Sequence, residues 1–339
     1  MSTTSQLTTF TDLFTDLQNR LRLTTGVTAT ENQAKRAINI GLHDMHIGFA
    51  EGMSWAERTG ELVTHPEYTT GTLSVNQGST ALTGSSTLWD TNNAFSEKNM
   101  RAGGKIVIDG GVEVYEIDSV SGDTAAVLTA TFIKANASAA SYLYFEDEYA
   151  LHADFLRPVS FSSFDINNDI DLIGRNEFRQ RYPRNKTTGK PRIATIVDRA
   201  FSGSTTPVRK VRFHKPPDQA FLINYPFITN KLAVSSSGTA LANLSSDSDE
   251  PIVPLQYRHA IVFHALYHWF RDKRDDARSQ EAKAEYTDIM LRISGDQEIG
   301  RPRPRFQPRK GPYVSKAKRP YRGRHGGRYT TGDSFDEIR

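Results

Sequence analysis

The sequence contains no cysteine, so neither a disulfide framework nor a thiolate site can exist in it, which fits the cytosol or a particle assembled there. It also lacks a long apolar run. The longest, from Ala260 to Leu266, is interrupted by His264 and is far too short to span a bilayer. Residues 1–9 are rich in Ser and Thr, without a basic region followed by an apolar core, so we expect no signal peptide. These absences predict a soluble protein.

Acidic residues are missing from residues 301–328, which hold eight Arg and three Lys. We call this segment the basic strap. The whole chain carries +3 and the strap +11; since residues 329–339 carry −2, residues 1–300 carry −6. The strap has too little apolar content to offset its ordering entropy, so we expect it to be disordered alone. It should order against something negative, either nucleic acid or an acidic groove on a partner protein.

Catalytic motifs are missing as well. There is no Walker-type phosphate loop, no GxGxxG and no GxSxG. His264 and His268 have the spacing of a zinc metalloprotease helix, but Ala265 occupies the position where that motif needs a glutamate. We therefore interpret these histidines, with His43 and His46, as lining a helix surface or its polar boundary. We predict no catalytic, cofactor-binding or metal site.

Two acidic clusters offer the remaining route to catalysis. Residues 146–148 (Glu-Asp-Glu) and residues 165–171 contain carboxylates that glycoside hydrolysis could use, if two of them were held about 5 to 10 Å apart across a cleft. Acidic clusters at strand ends and in loops are far more often solvated, which is what we expect here.

Helical patterns occur at both ends of the chain. Thr9 with Asp12 and Thr30 with Gln33 predict capping boxes of two amphipathic helices. Residues 260–270 predict the most apolar helix of the chain, and a helical face resumes over residues 282–293.

Strand patterns fill the middle. From about Thr69 to Glu146, short runs of branched and aromatic residues alternate with Gly, Ser and Asn clusters, and these predict five or six strands in a small β-barrel or sandwich. The runs are residues 73–75, 105–108, 112–117, 126–129 and 142–145. Turns are predicted at residues 109–111 and 121–123. Extended segments return between residues 150 and 250.

The predicted fold class is α+β: a helical-bundle host domain with extended β-elements, an inserted small all-β barrel or sandwich module, and an extended basic C-terminal tail. We expect residues 1–68 and 147–300 to form the host domain. Residues 69–146 form the inserted module, and residues 301–339 form the tail.

The order of these motifs resembles the head-to-tail adaptor (connector) proteins of tailed bacteriophages. The resemblance lies in the pair of N-terminal helices, the Lys215-Pro216-Pro217-Asp218 turn with a strand behind it, and the segment Pro251-Ile252-Val253-Pro254-Leu255-Gln256-Tyr257-Arg258 heading a helix. It covers about residues 8–65 and 150–295. The module at 69–146 and the enlarged strap depart from the compact family pattern.

The resemblance implies a structural virion protein and not an enzyme. It implies a homo-oligomeric ring of roughly twelve copies at the head–tail junction, docked on the portal protein, assembled in the host cytoplasm and without a membrane. DNA would pass through the channel without sequence specificity. Tail or nozzle proteins, and fibres through the inserted module, are the further expected partners.

Portal docking is assigned to charged residues of the strap and one tyrosine: Arg301, Arg303, Arg305, Arg309, Lys310, Lys316, Lys318, Arg319, Tyr321, Arg322, Arg324 and Arg328. Two alternatives stay open. The strap contains RGG-like stretches, so the chain is alternatively a nucleic-acid-binding protein that uses its Arg/Gly/Pro-rich tail. A third hypothesis is a particle-associated cell-wall hydrolase that uses Glu146 or Asp147.

Overall fold

A computed structural model of the chain describes residues 6–24, 26–49, 53–163, 168–183, 185–200 and 207–298. The fold is mixed α+β. The chain forms two compact units, Met1–Thr287 and Asp288–Arg339, and residues 288–298 of the second unit are helical. The basic strap lies outside the described residues. Among the described residues, no helix combines the length and apolar character that crossing a membrane requires.

The described residues contain these α-helices: α1 Phe10–Leu21, α2 Thr28–Phe49, α3 Arg175–Arg181, α4 His259–Asp272 and α5 Asp276–Glu298. The capping box predicted at Thr9 is confirmed, because its side chain accepts from the Asp12 amide and the Asp12 carboxylate accepts from the Thr9 amide. The second predicted capping box is wrong. Helix α2 begins at Thr28, so Thr30 lies inside its first turn, and the Glu31 carboxylate instead accepts from the Gly26 amide at 2.9 Å.

Helices α1, α2 and α4 pack on one another. Their buried faces follow the helical period, with Leu13 and Leu17 of α1 and Ile38 of α2 inaccessible to solvent. Helix α2 approaches α4 closely at Gly41, where an added Cβ would lie 3.1 Å from the Ile261 carbonyl oxygen. Near this close approach, Asp44 of α2 lies against His268 of α4.

The strands of the first half are β1 Glu57–Val63, β2 Thr72–Val75, β3 Ala81–Ser85, β4 Lys105–Ile108, β5 Tyr115–Gly122, β6 Ala125–Leu128, β7 Ala137–Ala140 and β8 Tyr142–Phe145. Those that follow are β9 Glu148–Ala150, β10 Phe155–Pro158, β11 Ser162–Ser163, β12 Asn168–Asp169, β13 Asp171–Leu172, β14 Ile193–Ala200, β15 Pro207–His214, β16 Leu222–Thr229, β17 Ala233–Val234, β18 Ala240–Leu241 and β19 Glu250–Pro251.

Strands β2 to β8 form a seven-stranded antiparallel sheet in the order β7-β2-β3-β6-β5-β4-β8. Its two end strands are separated in sequence only by Ser141, so the sheet curls round towards itself as a half-barrel. Inside lies a hydrophobic core around Trp89 and Tyr144, whose buried members all fall within residues 73–144 and against which Tyr68 also packs. Whether residues 69–146 behave as a separate module stays a prediction.

The first predicted turn of this sheet is confirmed, and the second shares only Asp123 with the turn observed. Asp109 and Gly110 both have positive φ, 51° and 59°, and the Gly111 amide donates to the Ile108 carbonyl, as in the tight turns of hairpins. Strands β5 and β6 pair up to Gly122 and Ala125, which puts the second turn at residues 123–124. The prediction of five or six strands missed β3 and β7, since small residues give them little strand signal.

Three further sheets are formed by β1, which precedes the curled sheet in sequence, and by β9 to β19, which follow it. One joins β1, β16, β11 and β12 in that order, with β10 also on β16. A second has the order β13-β14-β15-β9, and a third β18-β17-β19. The first two share one aromatic-rich core, which includes Phe161, Phe213 and Tyr225.

A buried arginine fixes where helix α4 begins. The Arg258 guanidinium donates to the carbonyls of Val253 at 2.8 Å and Pro251 at 3.0 Å, and also to those of Leu7 and Thr8. It therefore ties the segment before α4 to the segment before α1. Buried charge-assisted bonds of this kind are among the stronger ones in proteins.

Candidate functional site

The docking residues predicted between positions 301 and 328 all lie outside the described residues. Their role therefore stays a prediction. The described part of the chain has three other places where chemistry-bearing side chains meet, and each is built from elements distant in sequence.

The first is the acidic triplet that follows strand β8. We expected it to be solvated, and that expectation is wrong: Glu146 is 8% exposed and Asp147 is 1% exposed. The triplet connects β8 of the curled sheet to β9 of the four-stranded sheet. Its carboxylates thus lie where two sheets meet.

Each carboxylate of the triplet has a cationic partner. Asp147 accepts from Lys105 Nζ at 2.5 Å and from Arg212 Nε at 2.7 Å. The Glu148 carboxylate lies 3.5 Å and 3.8 Å from the same two groups. Glu146 accepts from two nitrogens of Arg101, at 2.8 Å and 2.7 Å. Buried charges are tolerated when they are paired in this way.

The pKa values of the cluster follow from burial and pairing. Burial alone would raise the pKa of Asp147, but the Lys105 and Arg212 cations outweigh it and hold that pKa below its ordinary value. Burial, with the charge of Glu146, raises the pKa of Tyr144 well above its ordinary value. Asp147 therefore stays ionised, as a fixed anion between two cations.

The network continues into the four-stranded sheet through Asn185. Its Nδ2 donates to the Phe213 carbonyl at 2.6 Å and to Asp147 Oδ2 at 3.3 Å. Its Oδ1 accepts from His214 Nδ1 at 2.8 Å, and the His214 ring stacks on Tyr182 with centroids 3.6 Å apart. Asn185 thus hydrogen-bonds to Asp147 on one side and to residues of β15 on the other. With Lys105 on β4, the cluster cross-links the curled sheet and the four-stranded sheet.

Asp147 is 1% exposed and bonded to two cations, which makes it unsuited to act as the general acid of glycoside hydrolysis. A general acid requires a carboxyl whose pKa is raised, whereas the pKa of Asp147 is lowered. Of the other acidic cluster, Asp165 lies outside the described residues and Asp171 is exposed on β13.

Sequence reasoning missed the cations of this cluster because they lie far along the chain from the triplet. One signal was available. Lys105 begins the run Lys-Ile-Val-Ile, and all four residues of that strand are buried. A lysine buried in a strand needs an anion, and Asp147 supplies it.

The second place is the contact between α2 and α4. His264 and His268 lie four apart on α4, both buried, and Asp44 of α2 lies against them. One ligand atom from each of the three lies within 4.8 Å of the other two. His268 Nε2 is 3.0 Å from Asp44 Oδ2.

The hydrogen bonds of His268 define its tautomer. A guanidinium can only donate, and Arg271 Nη2 lies 3.1 Å from His268 Nδ1. Nδ1 therefore accepts, and Nε2 carries the proton that is donated to Asp44. His264 differs, because its buried Nδ1 has no hydrogen-bond partner among the described residues. Burial, with the neighbouring His268, lowers the pKa of His264 to about 4.

The other histidines do not join this group. His46 is buried on α2, where its Nε2 lies 2.6 Å from the Thr229 carbonyl oxygen, and burial lowers its pKa. His43 is exposed, with Nδ1 3.8 Å from Asp44 Oδ1. The pairing of Asp44 with α4 could not be read from the sequence, since the residues are more than 200 positions apart.

The third place is a surface groove of about 640 Å³ among α1, α4 and α5. Its floor is apolar, with Phe263, Leu266 and Phe270, and its rim carries arginines and glutamates. The Arg20 guanidinium lies 4.8 Å from the centre of the Phe263 ring. An apolar floor inside a charged rim has the composition of a protein–protein interface.

Comparisons with known proteins found no family model that matches the chain and no curated protein that matches it.

Proposed function

We propose that this chain is a structural virion protein, a head-to-tail adaptor whose copies form a ring between the portal and the tail of a bacteriophage, around the DNA exit channel. The observation that carries the proposal is the division of charge. Residues 1–300 carry −6 and the basic strap carries +11. Opposite charges on one chain favour contacts between neighbouring copies and with an acidic partner.

The order of the elements supports the same proposal. Two N-terminal helices, extended segments and a terminal helix headed by residues 251–258 follow one another as in the adaptors that the sequence resembles. The turn at residues 215–218 precedes β16, and Arg258 of the heading segment ties that segment to the start of α1. In this proposal, residues 1–68 and 147–300 form the ring wall as a helical host domain.

A closed ring needs two different surfaces that fit each other on every copy. The groove among α1, α4 and α5 offers one such surface, because a neighbouring copy could bury its apolar floor. Each contact can be weak, since many copies that engage together add avidity. The basic strap would dock on the portal, and Arg suits this because it binds carboxylates in a bidentate manner.

The curled sheet would form the inserted module of the proposal. It has a core of its own and is anchored to the four-stranded sheet by the Lys105–Asp147–Arg212 cluster. Such a module would project from the ring wall, where tail, nozzle or fibre proteins could attach. Residues 146–148 support this structural role, and not that of a hydrolase, because each of their carboxylates faces a cation.

The test is truncation of the tail. The full chain, a variant lacking residues 301–339 and a control lacking only residues 329–339 are each co-expressed with the portal protein of the same phage. The control keeps the strap and loses only a segment of charge −2. We expect the full chain and the control to join the portal as rings in electron micrographs, and the longer truncation to stay folded without joining.

Unimpaired joining by the longer truncation would contradict the docking role. The same proteins test the nucleic-acid alternative. If half or more of the strap charges bound phosphates, the affinity for DNA would fall with salt at a log–log slope of roughly −5 to −10. A flat salt response, together with portal joining, would leave the adaptor as the function.

A further inference from the structure

The cluster of Asp44, His264 and His268 has the composition of a metal site. Two imidazoles and one carboxylate form the ligand set that Zn²⁺ and other divalent transition metals accept in proteins. The two histidines are four residues apart on α4, which puts them on one face of the helix. Asp44 completes the set from the facing helix α2, and the three ligand atoms lie within 4.8 Å of one another.

A second observation points to a ligand. His264 is 91% buried, and its Nδ1 has no hydrogen-bond partner among the described residues. An unpartnered buried nitrogen costs free energy unless something else satisfies it. The atoms that surround the His264 ring do not do this: it contacts the rings of Tyr286, at 4.3 Å between centroids, and His268, at 4.7 Å.

We infer that Asp44, His264 and His268 bind one divalent transition metal ion of the Zn²⁺ class, which cross-links helices α2 and α4.

The geometry requires only a small closure. Two ligands at about 2.1 Å from one ion lie at most about 4.2 Å apart, and about 3.4 Å apart in a tetrahedral site. All three backbones are fixed in helices α2 and α4, so the closure comes from side-chain rotation, for which Asp44 has the most room. Its side chain is 45% exposed and can rotate towards the pair without unpacking the helices.

Arg271 is the built-in competitor of the metal. It donates to His268 Nδ1, which keeps the ring proton on Nε2, the atom that faces Asp44. A metal ion needs the Nε2 lone pair. The ring proton must therefore move through solvent from Nε2 to Nδ1, and Arg271 must release Nδ1. Arg271 is exposed, so it can turn away.

This competition gives the site a distinctive test. Replacing a metal ligand should weaken binding, whereas Arg271→Ala should strengthen it, because His268 is then free to carry its proton on Nδ1. Lys273→Ala is the matched control. It removes the same charge two residues further on, where the ammonium lies over the Trp269 ring and not against a histidine.

The experiment uses the full chain after treatment with a chelator. Zn²⁺ binding is measured by titration calorimetry in excess Mg²⁺, and Co²⁺ binding by visible absorption, which reports nitrogen and oxygen ligation. We expect one high-affinity ion per chain, with Asp44→Asn and His264→Ala each weakening binding roughly tenfold or more. Arg271→Ala should tighten it several-fold, Lys273→Ala should change it little, and Zn²⁺ should raise the melting temperature of the wild type.

The inference would be overturned if the wild type, Asp44→Asn and His264→Ala bound Zn²⁺ with equal affinity. It would also be overturned if Arg271→Ala bound Zn²⁺ no more tightly than Lys273→Ala. Asp44 is exposed, so its variant tests the site even if His264→Ala fails to fold. These outcomes are independent of the portal experiment, and either proposal can fail alone.

Discussion

Single residues in this protein derive their roles from partners far along the chain. Asp147 is the clearest case, because a 1% exposed carboxylate is held between Lys105 and Arg212, on strands β4 and β15. Replacing both charges of a buried pair by apolar groups can leave the stability unchanged. Removing one partner leaves the other charge unpaired in the interior, which is destabilising. In an exposed pair, water solvates the charge that remains, so removing one partner changes the stability little.

Asp147→Ala should therefore lower the free energy of unfolding by up to about 3–5 kcal/mol, because Lys105 and Arg212 lose their nearest anion and keep only the more distant Glu148 carboxylate. The matched control is Glu113→Ala, which breaks the exposed Lys134–Glu113 pair, also at 2.5 Å, and should cost far less because water screens that pair. Urea denaturation followed by circular dichroism measures both. Equal losses would mean that the Asp147 cluster is solvated after all.

The lowered pKa of Asp147 also predicts a pH dependence. Its pKa in the unfolded chain is about 3.9, so at acid pH the unfolded state binds more protons than the folded state. The stabilisation from Asp147 is thus fully present above about pH 4 to 5 and is lost as the pH falls through the lower pKa of the folded protein. The gap in unfolding free energy between the wild type and Asp147→Asn should be constant from pH 7 to 5 and narrow below pH 4. A gap that instead widens in acid would contradict this.

Elements are where the sequence is most informative. Lys105–Ile108 and Tyr142–Phe145 are predicted to the residue, since branched and aromatic runs between turns have few alternatives. Helix α4 is predicted to within two residues at each end. Strands β3 and β7 were missed because their small residues give little alternation of apolar and polar side chains. Helix α3 was missed because its sequence is polar and contains no apolar face.

The contacts between elements are what the sequence could not provide. Periodicity marks which face of α2 and of α4 is buried, but it does not say that Asp44 meets His268 or that Gly41 meets Ile261. Those pairings depend on the close approach of two helices that are separated by the whole β-region. The same holds for Lys105 and Asp147, which come together only because the curled sheet ends beside the four-stranded one.

Because α2 approaches α4 closely at Gly41 but not at Gly48, replacing glycine by alanine should change the unfolding free energy in opposite directions at these two positions. Gly41→Ala puts a methyl group 3.1 Å from the Ile261 carbonyl oxygen and 3.2 Å from the Ala265 nitrogen, so it should lower the unfolding free energy by roughly 1–3 kcal/mol. The control Gly48→Ala, exposed on the same helix with no atom within 4 Å, should raise it by up to about 1 kcal/mol.

Thermal and urea denaturation of these two variants measure the difference. Gly41→Ala should also weaken Zn²⁺ binding, because it moves Asp44 away from α4, while Gly48→Ala should leave the affinity unchanged. If both alanines stabilised the protein equally, α2 and α4 would lie farther apart than described, and the proposed metal cross-link would lose its basis.

At the scale of the whole molecule, the division of charge fits both the adaptor and the nucleic-acid alternative, but the chemistry of the strap's cations can distinguish them by experiment. Arginine forms paired hydrogen bonds with carboxylates, which a lysine cannot reproduce, whereas phosphate binding by counterion release depends mainly on the number of positive charges. Replacing the eight arginines of residues 301–328 by lysine keeps the charge at +11, and replacing them by glutamine reduces it to +3. The two variants therefore change geometry and charge separately.

We predict that the lysine variant joins the portal more weakly than the wild type and that the glutamine variant does not join, as measured by co-purification at several salt concentrations. DNA binding, if the strap has any, should survive the lysine exchange and disappear with glutamine. Portal joining that is unaffected in the glutamine variant would show that the strap charge is not what docks. Unchanged joining in the lysine variant would mean that positive charge alone is enough for portal binding. A groove that binds the guanidinium group by its geometry must bind arginine more tightly than lysine.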